Sequence, residues 1–181
     1  MNAKRVEPAP GEPSTGDNPS DVRRTFARNL RQAREAAGLT QHALSKNALY
    51  DHRHLAEIEA KAANVKLDTI TRLARPLGLT EIDLLLPNMD ISLVKRVRHV
   101  PAEPLSKTEP SELRRRFAHN LRETRQAAGL FQKALAEATG IQVASVGDIE
   151  VHAANVTLDT VTRLARALGV TEIDLLGPRK C

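Results

Sequence analysis

The sequence predicts an all-α protein made of two tandem domains, each a small bundle of five short helices, joined by a linker. Three observations carry that prediction. First, sliding the chain by 91 positions lays Phe26 on Phe117, Asn29 on Asn120, Asn64 on Asn155 and Pro87 on Pro178 without a gap. About half of the pairs between residues 1–90 and 92–181 are identical. Two copies of a unit this long read as two globular domains, because a solenoid stacks more copies of a shorter repeat. Second, apolar residues recur three or four apart throughout both copies, the period of a one-sided helix. Third, aromatics are 2% of the chain and Trp is absent. Each half must therefore build its core from Leu, Ile, Val and Ala, which suits a compact bundle of short helices.

Composition narrows the function classes. A formal net charge of +5 over 181 residues favours polyanionic partners such as nucleic acid. The single cysteine, Cys181, excludes an intrachain disulfide and leaves no basis for a zinc cluster. His52 and His54 lack further ligands at helical spacing, so no metal and no cofactor is expected. No paired carboxylates, Gly-rich phosphate loop or nucleophile constellation stands out, so an enzyme is not expected. The start of the chain is polar and Pro-rich, and no apolar run approaches membrane-spanning length. A soluble, cytoplasmic protein without a membrane partner is the expectation.

Residues 1–19 are rich in Pro, Gly, Glu and Ser and read as a disordered polar arm. The first domain spans 20–87. Ser20 is placed to cap a first helix whose inner face is Val22, Phe26, Leu30 and Ala33, with Gly38 as its stop. Thr40 caps a second helix that begins at Gln41 and buries Leu44. After a turn near Ala48, Leu49 and Tyr50, Asp51 caps a third helix running through Glu59 on Leu55 and Ile58. A fourth helix rests on Leu67, Ile70, Leu73, Ala74 and Leu77 and ends at Gly78, and Asn64 and Asn155 are expected to shape the loops that precede the fourth helices. Thr80 and Asp83 have capping-box spacing for a last short turn carrying Ile82, Leu84 and Leu85. Residues 88–110 are the linker, in which the run from Ile91 to Val94 is apolar enough to form a short strand or to dock. Residues 111–178 repeat the five helices as the second domain.

These helices, with Gln at the head of the second and Thr-Glu-Ile-Asp-Leu-Leu at the end, resemble the XRE (Cro and lambda-repressor-like) helix-turn-helix family. The second copy carries the fuller signature, GLFQKALAEATGIQVASVGDIE followed by NVTLDTVTRLARALGVTEIDLL. The resemblance covers 21–87 and 112–178. It implies a transcriptional regulator that lays the third helix of each unit in the major groove of double-stranded DNA. Carried over by position, the DNA-reading candidates are Gln41, Tyr50, Asp51, His52, Arg53, His54 and Glu57 in the first unit. In the second they are Gln132, Gln142, Val143, Ala144, Ser145 and Asp148. Arg can hold guanine and Gln adenine bidentately, while Val143 and Ala144 can only pack on a thymine methyl. Tyr50 either stacks, touches a phosphate or is partly buried at the turn. Arg23, Arg24, Arg114, Arg115 and Arg116 either contact phosphates beside the groove or line a solvated face. The basic pairs Lys4-Arg5 and Lys95-Arg96 either enter a minor groove or only solubilise the arms.

The copies differ most over residues 45–57 and 136–148, where no aligned position is identical. One chain would therefore see two unlike half-sites. A flexible linker of about 23 residues spans roughly 25–30 Å, near the ~34 Å between half-sites one DNA turn apart. Each copy also departs from the family. Leu49 replaces the turn glycine and Ser45 the small Ala, so the turn either carries strain or is remodelled. Residues 136–152 hold Glu137, Asp148 and Glu150 with no Lys or Arg, a poor complement to phosphates. That favours an alternative: one or both units dock a protein partner, as an antiactivator or antitoxin-like module does. Gln142 to Glu150 would then be the surface of domain 2, with Val143 and Val146 its contacts. A homodimer through the last helix or the linker also remains open.

Overall fold

The computed structural model describes residues 20–94 and 109–178. The polar arm with Lys4 and Arg5, the stretch with Lys95 and Arg96, and Cys181 lie outside the described residues. The first unit consists of α1 (Asp21–Ala36), α2 (Gln41–Asn47), α3 (His52–Lys61) and α4 (Leu67–Ala74). The second consists of α5 (Glu112–Ala127), α6 (Gln132–Thr139), α7 (Val143–His152), α8 (Leu158–Leu168) and α9 (Glu172–Leu176).

The copies diverge where their sequences demand it. In the first unit α4 tightens into a 3-10 turn over Arg75–Leu77. Pro76 stands there without the N–H that an α-helix needs, while Ala167 lets α8 continue to Leu168. The counterpart of α9, residues 81–85, is a run of turns. Its capping bonds survive nonetheless: Thr80 N donates to Asp83 Oδ2 at 2.8 Å and Asp83 N to Thr80 Oγ1 at 3.2 Å. Ile91–Leu93 is a 3-10 turn, neither strand nor free coil, and Met89 and Val94 pack on the core beside it.

Both cores follow the helical period. Phe26, Leu30, Leu44, Leu55, Ile58 and Leu73 are fully buried in the first unit, as Phe117, Leu121, Leu135, Val146, Ile149 and Leu164 are in the second. Inside each, one buried Asn ties the first helix to the end of the unit. Asn29 Nδ2 donates to the carbonyls of Leu84 and Leu86 at 3.1 and 2.7 Å, and Asn120 Nδ2 to those of Leu175 and Gly177 at 3.1 Å each. These carbonyls end a helical turn and would otherwise be orphaned in the core.

The two units dock directly on one another, α4 against α5 and α1 against α8. Lys66 and Thr157 form an antiparallel bridge: Leu67 N donates to Val156 O at 3.0 Å and Leu158 N to Val65 O at 2.9 Å. Arg23 Nη1 meets Asp159 Oδ2 at 2.9 Å, and Arg114 Nη1 meets Asp68 Oδ2 at 3.1 Å. Each of these arginines also donates through Nε to its own unit, to Ala62 O at 2.7 Å and Ala153 O at 2.6 Å. Asn155 Oδ1 accepts from Asp68 N, and Asn64 Oδ1 from Asp159 N, so the loop asparagines cap the neighbouring unit's helix. Nearly every contact thus has a counterpart 91 residues away, which gives the interface two-fold character within one chain. Three exceptions break the symmetry. Ser20 Oγ donates to Asp159 and makes no cap bond to its own helix, whereas Ser111 does cap α5. Asp68 Oδ1 is correspondingly left without a partner. Arg116 reaches Glu81 at 4.0 Å where the other copy has Thr25.

Candidate nucleic-acid interface

The helix-turn-helix of each unit is α2–α3 and α6–α7. The connecting turn keeps one geometry in both: Tyr50 N donates to Ser45 O at 2.9 Å and Ile141 N to Ala136 O at 3.1 Å. Leu49 and Gly140 both sit in the left-handed region, at φ 50° and 65°. The strained alternative is therefore the one realised: Leu49 carries the local cost of a Cβ in the left-handed region and, at 52% exposed, gives up little core packing to sit there. Ser45 fits the buried position of Ala136 by donating its hydroxyl to His42 O.

On α3 the helical period turns Leu55 and Ile58 inward and leaves Asp51, His52, Arg53, His54 and Glu57 exposed. The Asp51 carboxylate accepts from His54 N at 3.0 Å, and that backbone bond holds it below its ordinary carboxyl range. The His52 ring stands edge-on to His42 at 5.9 Å, and His54 leans on Tyr50 at 6.4 Å. Tyr50 is half-buried; burial pushes its hydroxyl up, against a hydrogen bond with Thr69 that lowers it. On α7, Gln142, Val143, Ala144 and Asp148 are exposed and Ser145 is partly so. Gln142 occupies the N-cap position without a side-chain cap bond.

Several side chains have other occupations than the sequence suggested. Gln41 Nε2 donates to Glu59 Oε2 at 2.8 Å, and Gln132 Nε2 to Glu150 Oε2 at 2.8 Å. Each Glu is in turn gripped bidentately by an arginine of the first helix: Arg34 on Glu59 at 2.7 and 2.9 Å, Arg125 on Glu150 at 2.7 and 2.9 Å. The hydrogen bond to Glu59 raises the Arg34 guanidinium above its ordinary value, and that to Glu150 does the same for Arg125. Burial works to raise the Glu150 carboxyl, but the bonds from Arg125 and Gln132 outweigh it and leave it below the usual range. The acidic surface expected over residues 136–152 is thereby reduced to Glu137 on α6 and Asp148 on α7, since Glu150 is buried and paired with Arg125. Val146 is 0% exposed and packs in the core, which corrects its expected role as a docking contact. Arg23 and Arg114 point into the contact between the units. Arg24 and Arg115 stay half-exposed beside Asp21 and Glu112.

Signals for these networks existed only as pairs far apart in sequence, Arg34 with Glu59 and Arg125 with Glu150, at the same separation in each copy. Phe131 is a further residue that sequence reading passed over. It occupies the N-cap of α6 where Thr40 caps α2, makes no cap bond and is 82% exposed; Val151 on α7 is 68% exposed. A groove of about 400 Å³ runs beside α3 and includes His54, Glu57 and Lys66. Its counterpart beside α7, about 350 Å³, includes Ser145, Asp148 and Thr157. Because Lys66 and Thr157 form the inter-unit bridge, the two grooves adjoin, with the outward faces of α3 and α7 flanking them.

The family model described as a helix-turn-helix domain matches twice, over residues 25–85 and 116–176. Among solved structures, the restriction-modification controller protein C.AhdI from Aeromonas hydrophila is 37% identical, covers 34% of this chain and 94% of its own, and superposes with a TM-score of 0.33. The hypothetical transcription factor NHTF from Neisseria is 32% identical, covers 41% of this chain and 88% of its own, with a TM-score of 0.36. No curated protein matches the chain.

Proposed function

Since the chain belongs to the helix-turn-helix domain family, which it matches in two consecutive copies, we propose that it is a sequence-specific DNA-binding transcriptional regulator whose two units read unlike half-sites. The domains are taken as 20–87 and 111–178. The observation that supports this reading most directly is the exposed first turn of α3, where His52, Arg53 and His54 face outward while Leu55 and Ile58 anchor the helix. Arg53 is the strongest base-reading candidate, as a guanidinium fits guanine O6 and N7. His52, His54, Gln142 and Ser145 supply weaker donors or acceptors, and Val143 and Ala144 supply methyl contacts. Gln41 and Gln132, tied to their glutamates, serve to present the head of the second helix. Arg24 and Arg115 are the remaining phosphate candidates. The test is selection of bound sequences from a random DNA pool with the intact chain, followed by Arg53→Ala. The variant should bind about 1–3 kcal/mol more weakly and lose preference at one base position; unchanged affinity for the selected site removes Arg53 from the interface.

A second reading is favoured by one observation. Phe131, Val143 and Val151 are exposed by 82%, 45% and 68% on the second unit, where an apolar surface gains nothing from phosphates. In that reading the first unit holds DNA and the second docks a protein. A selected site with only one specified half, insensitive to Gln142→Ala and Ser145→Ala, would favour it over two DNA readers.

A further inference from the structure

We propose that the docked surface between the units fixes the spacing and phase of the two half-sites the chain accepts, with Arg23, Asp68, Arg114 and Asp159 as the positioning residues. The inference rests on the DNA-reading function above and specifies how one chain uses two readers. Its basis is that the units are not merely tethered. Main-chain bonds cross between them at 2.9 and 3.0 Å, and two arginine–aspartate pairs lock the same surface from both sides. Three of the four charged side chains are less than a quarter exposed, at 16%, 17% and 20%, and the fourth, Asp159, is at 36%. Each arginine is pre-aimed by its bond to the left-handed C-cap of the reading helix, Ala62 after α3 and Ala153 after α7. One guanidinium therefore links the end of its own reading helix to the first turn of the other unit's fourth helix. With the grooves beside α3 and α7 both lined at the Lys66–Thr157 bridge, the two readers flank one joined surface.

A rigid pair of readers has a consequence that a flexible tether lacks. Duplex DNA repeats every 10–10.5 base pairs, so one inserted pair turns the second half-site by about 34° and five put it on the opposite side. A docked chain then loses the gain of simultaneous engagement, about 10²–10⁴-fold. A long loose tether would follow the site around.

The experiment compares three proteins on the selected site and on versions with one and five base pairs inserted between its halves. They are the intact chain, the chain with ten Gly/Ser residues added between positions 95 and 108, and Asp68→Ala/Asp159→Ala. The first two should show the same spacing preference, weakening about 10²-fold or more at five pairs. The double variant should lose less than about tenfold. Arg53→Ala is the contrast: it should weaken all spacings alike. The proposal is overturned if the longer linker alone relaxes spacing, or if the folded double variant stays as strict as the intact chain. Should circular dichroism find the double variant unfolded, the linker insertion decides alone. Absence of DNA binding by the intact chain at low salt would overturn the DNA-reading function itself, a different outcome from binding with relaxed spacing.

Discussion

The turn between α2 and α3 makes a quantitative test of backbone strain, because the chain contains its own control. Leu49 and Gly140 hold the same left-handed position, at φ 50° and 65°, in turns closed by the same main-chain bond. A residue with a Cβ sits in that region at a cost of about 1–2 kcal/mol. Replacing Leu49 with Gly removes that strain but loosens the unfolded chain, which offsets about 0.5–1 kcal/mol. Little burial is lost, since Leu49 is 52% exposed. The net expectation for Leu49→Gly is a gain of about 0.5–1 kcal/mol, or about 1–4 °C in Tm for a chain of this size. Gly140→Ala should do the opposite, by about 1 kcal/mol. Nothing lies within 4 Å of a Cβ built there, so only the backbone can object. Thermal and urea unfolding followed by circular dichroism suit a protein without Trp. If Leu49→Gly destabilises while Gly140→Ala is harmless, strain at this turn is not what limits it and the reasoning fails.

Two further predictions concern the second unit. Glu150→Gln leaves the Arg125 guanidinium buried without its counter-charge, which should remove about 3–5 kcal/mol of stability at neutral pH. The Glu150 carboxyl is depressed in the fold, so its contribution is present above the unfolded value near 4.3 and fades as pH falls through the lower folded one. The gap between wild type and Glu150→Gln in urea melts should accordingly close below about pH 4.3; a gap constant down to strongly acid pH would deny the ion pair its role. Phe131→Thr restores the N-cap that Thr40 provides to α2 and should stabilise by about 1 kcal/mol. If the same variant leaves stability unchanged, Phe131 is held by contacts that its exposure hides.

Helix positions were legible because period and caps are local: Phe26, Leu30 and Ala33 announce α1, and Thr40 and Asp51 sit where α2 and α3 start. The exposed turn of α3 followed from the same period. Val146 is an error of a different kind, since a Val three residues from Ile149 belongs to the buried stripe, and surface chemistry was read into it. What stayed illegible depends on pairs that no local pattern encodes. Arg23 and Asp159 are separated by 136 positions, Arg114 and Asp68 by 46, and only the docking of two finished units brings them together. A run of arginines on an open helix face looks the same whether it awaits phosphate or an aspartate from the other half. Linker length likewise suggested free half-domains, because nothing in residues 88–110 reveals that their neighbours adhere.

The two-fold contact inside a single polypeptide has an evolutionary consequence. In a pair of identical subunits every substitution appears twice, so the two reading surfaces cannot change separately. Here a codon change in 45–57 alters one surface and leaves 136–148 alone, while the residues that join the halves, Arg23, Asn64 and Asp68 with Arg114, Asn155 and Asp159, lie outside both stretches. Under the proposed two-reader function, assembly and recognition are thereby uncoupled: half of the target can change while the other half keeps the chain in place.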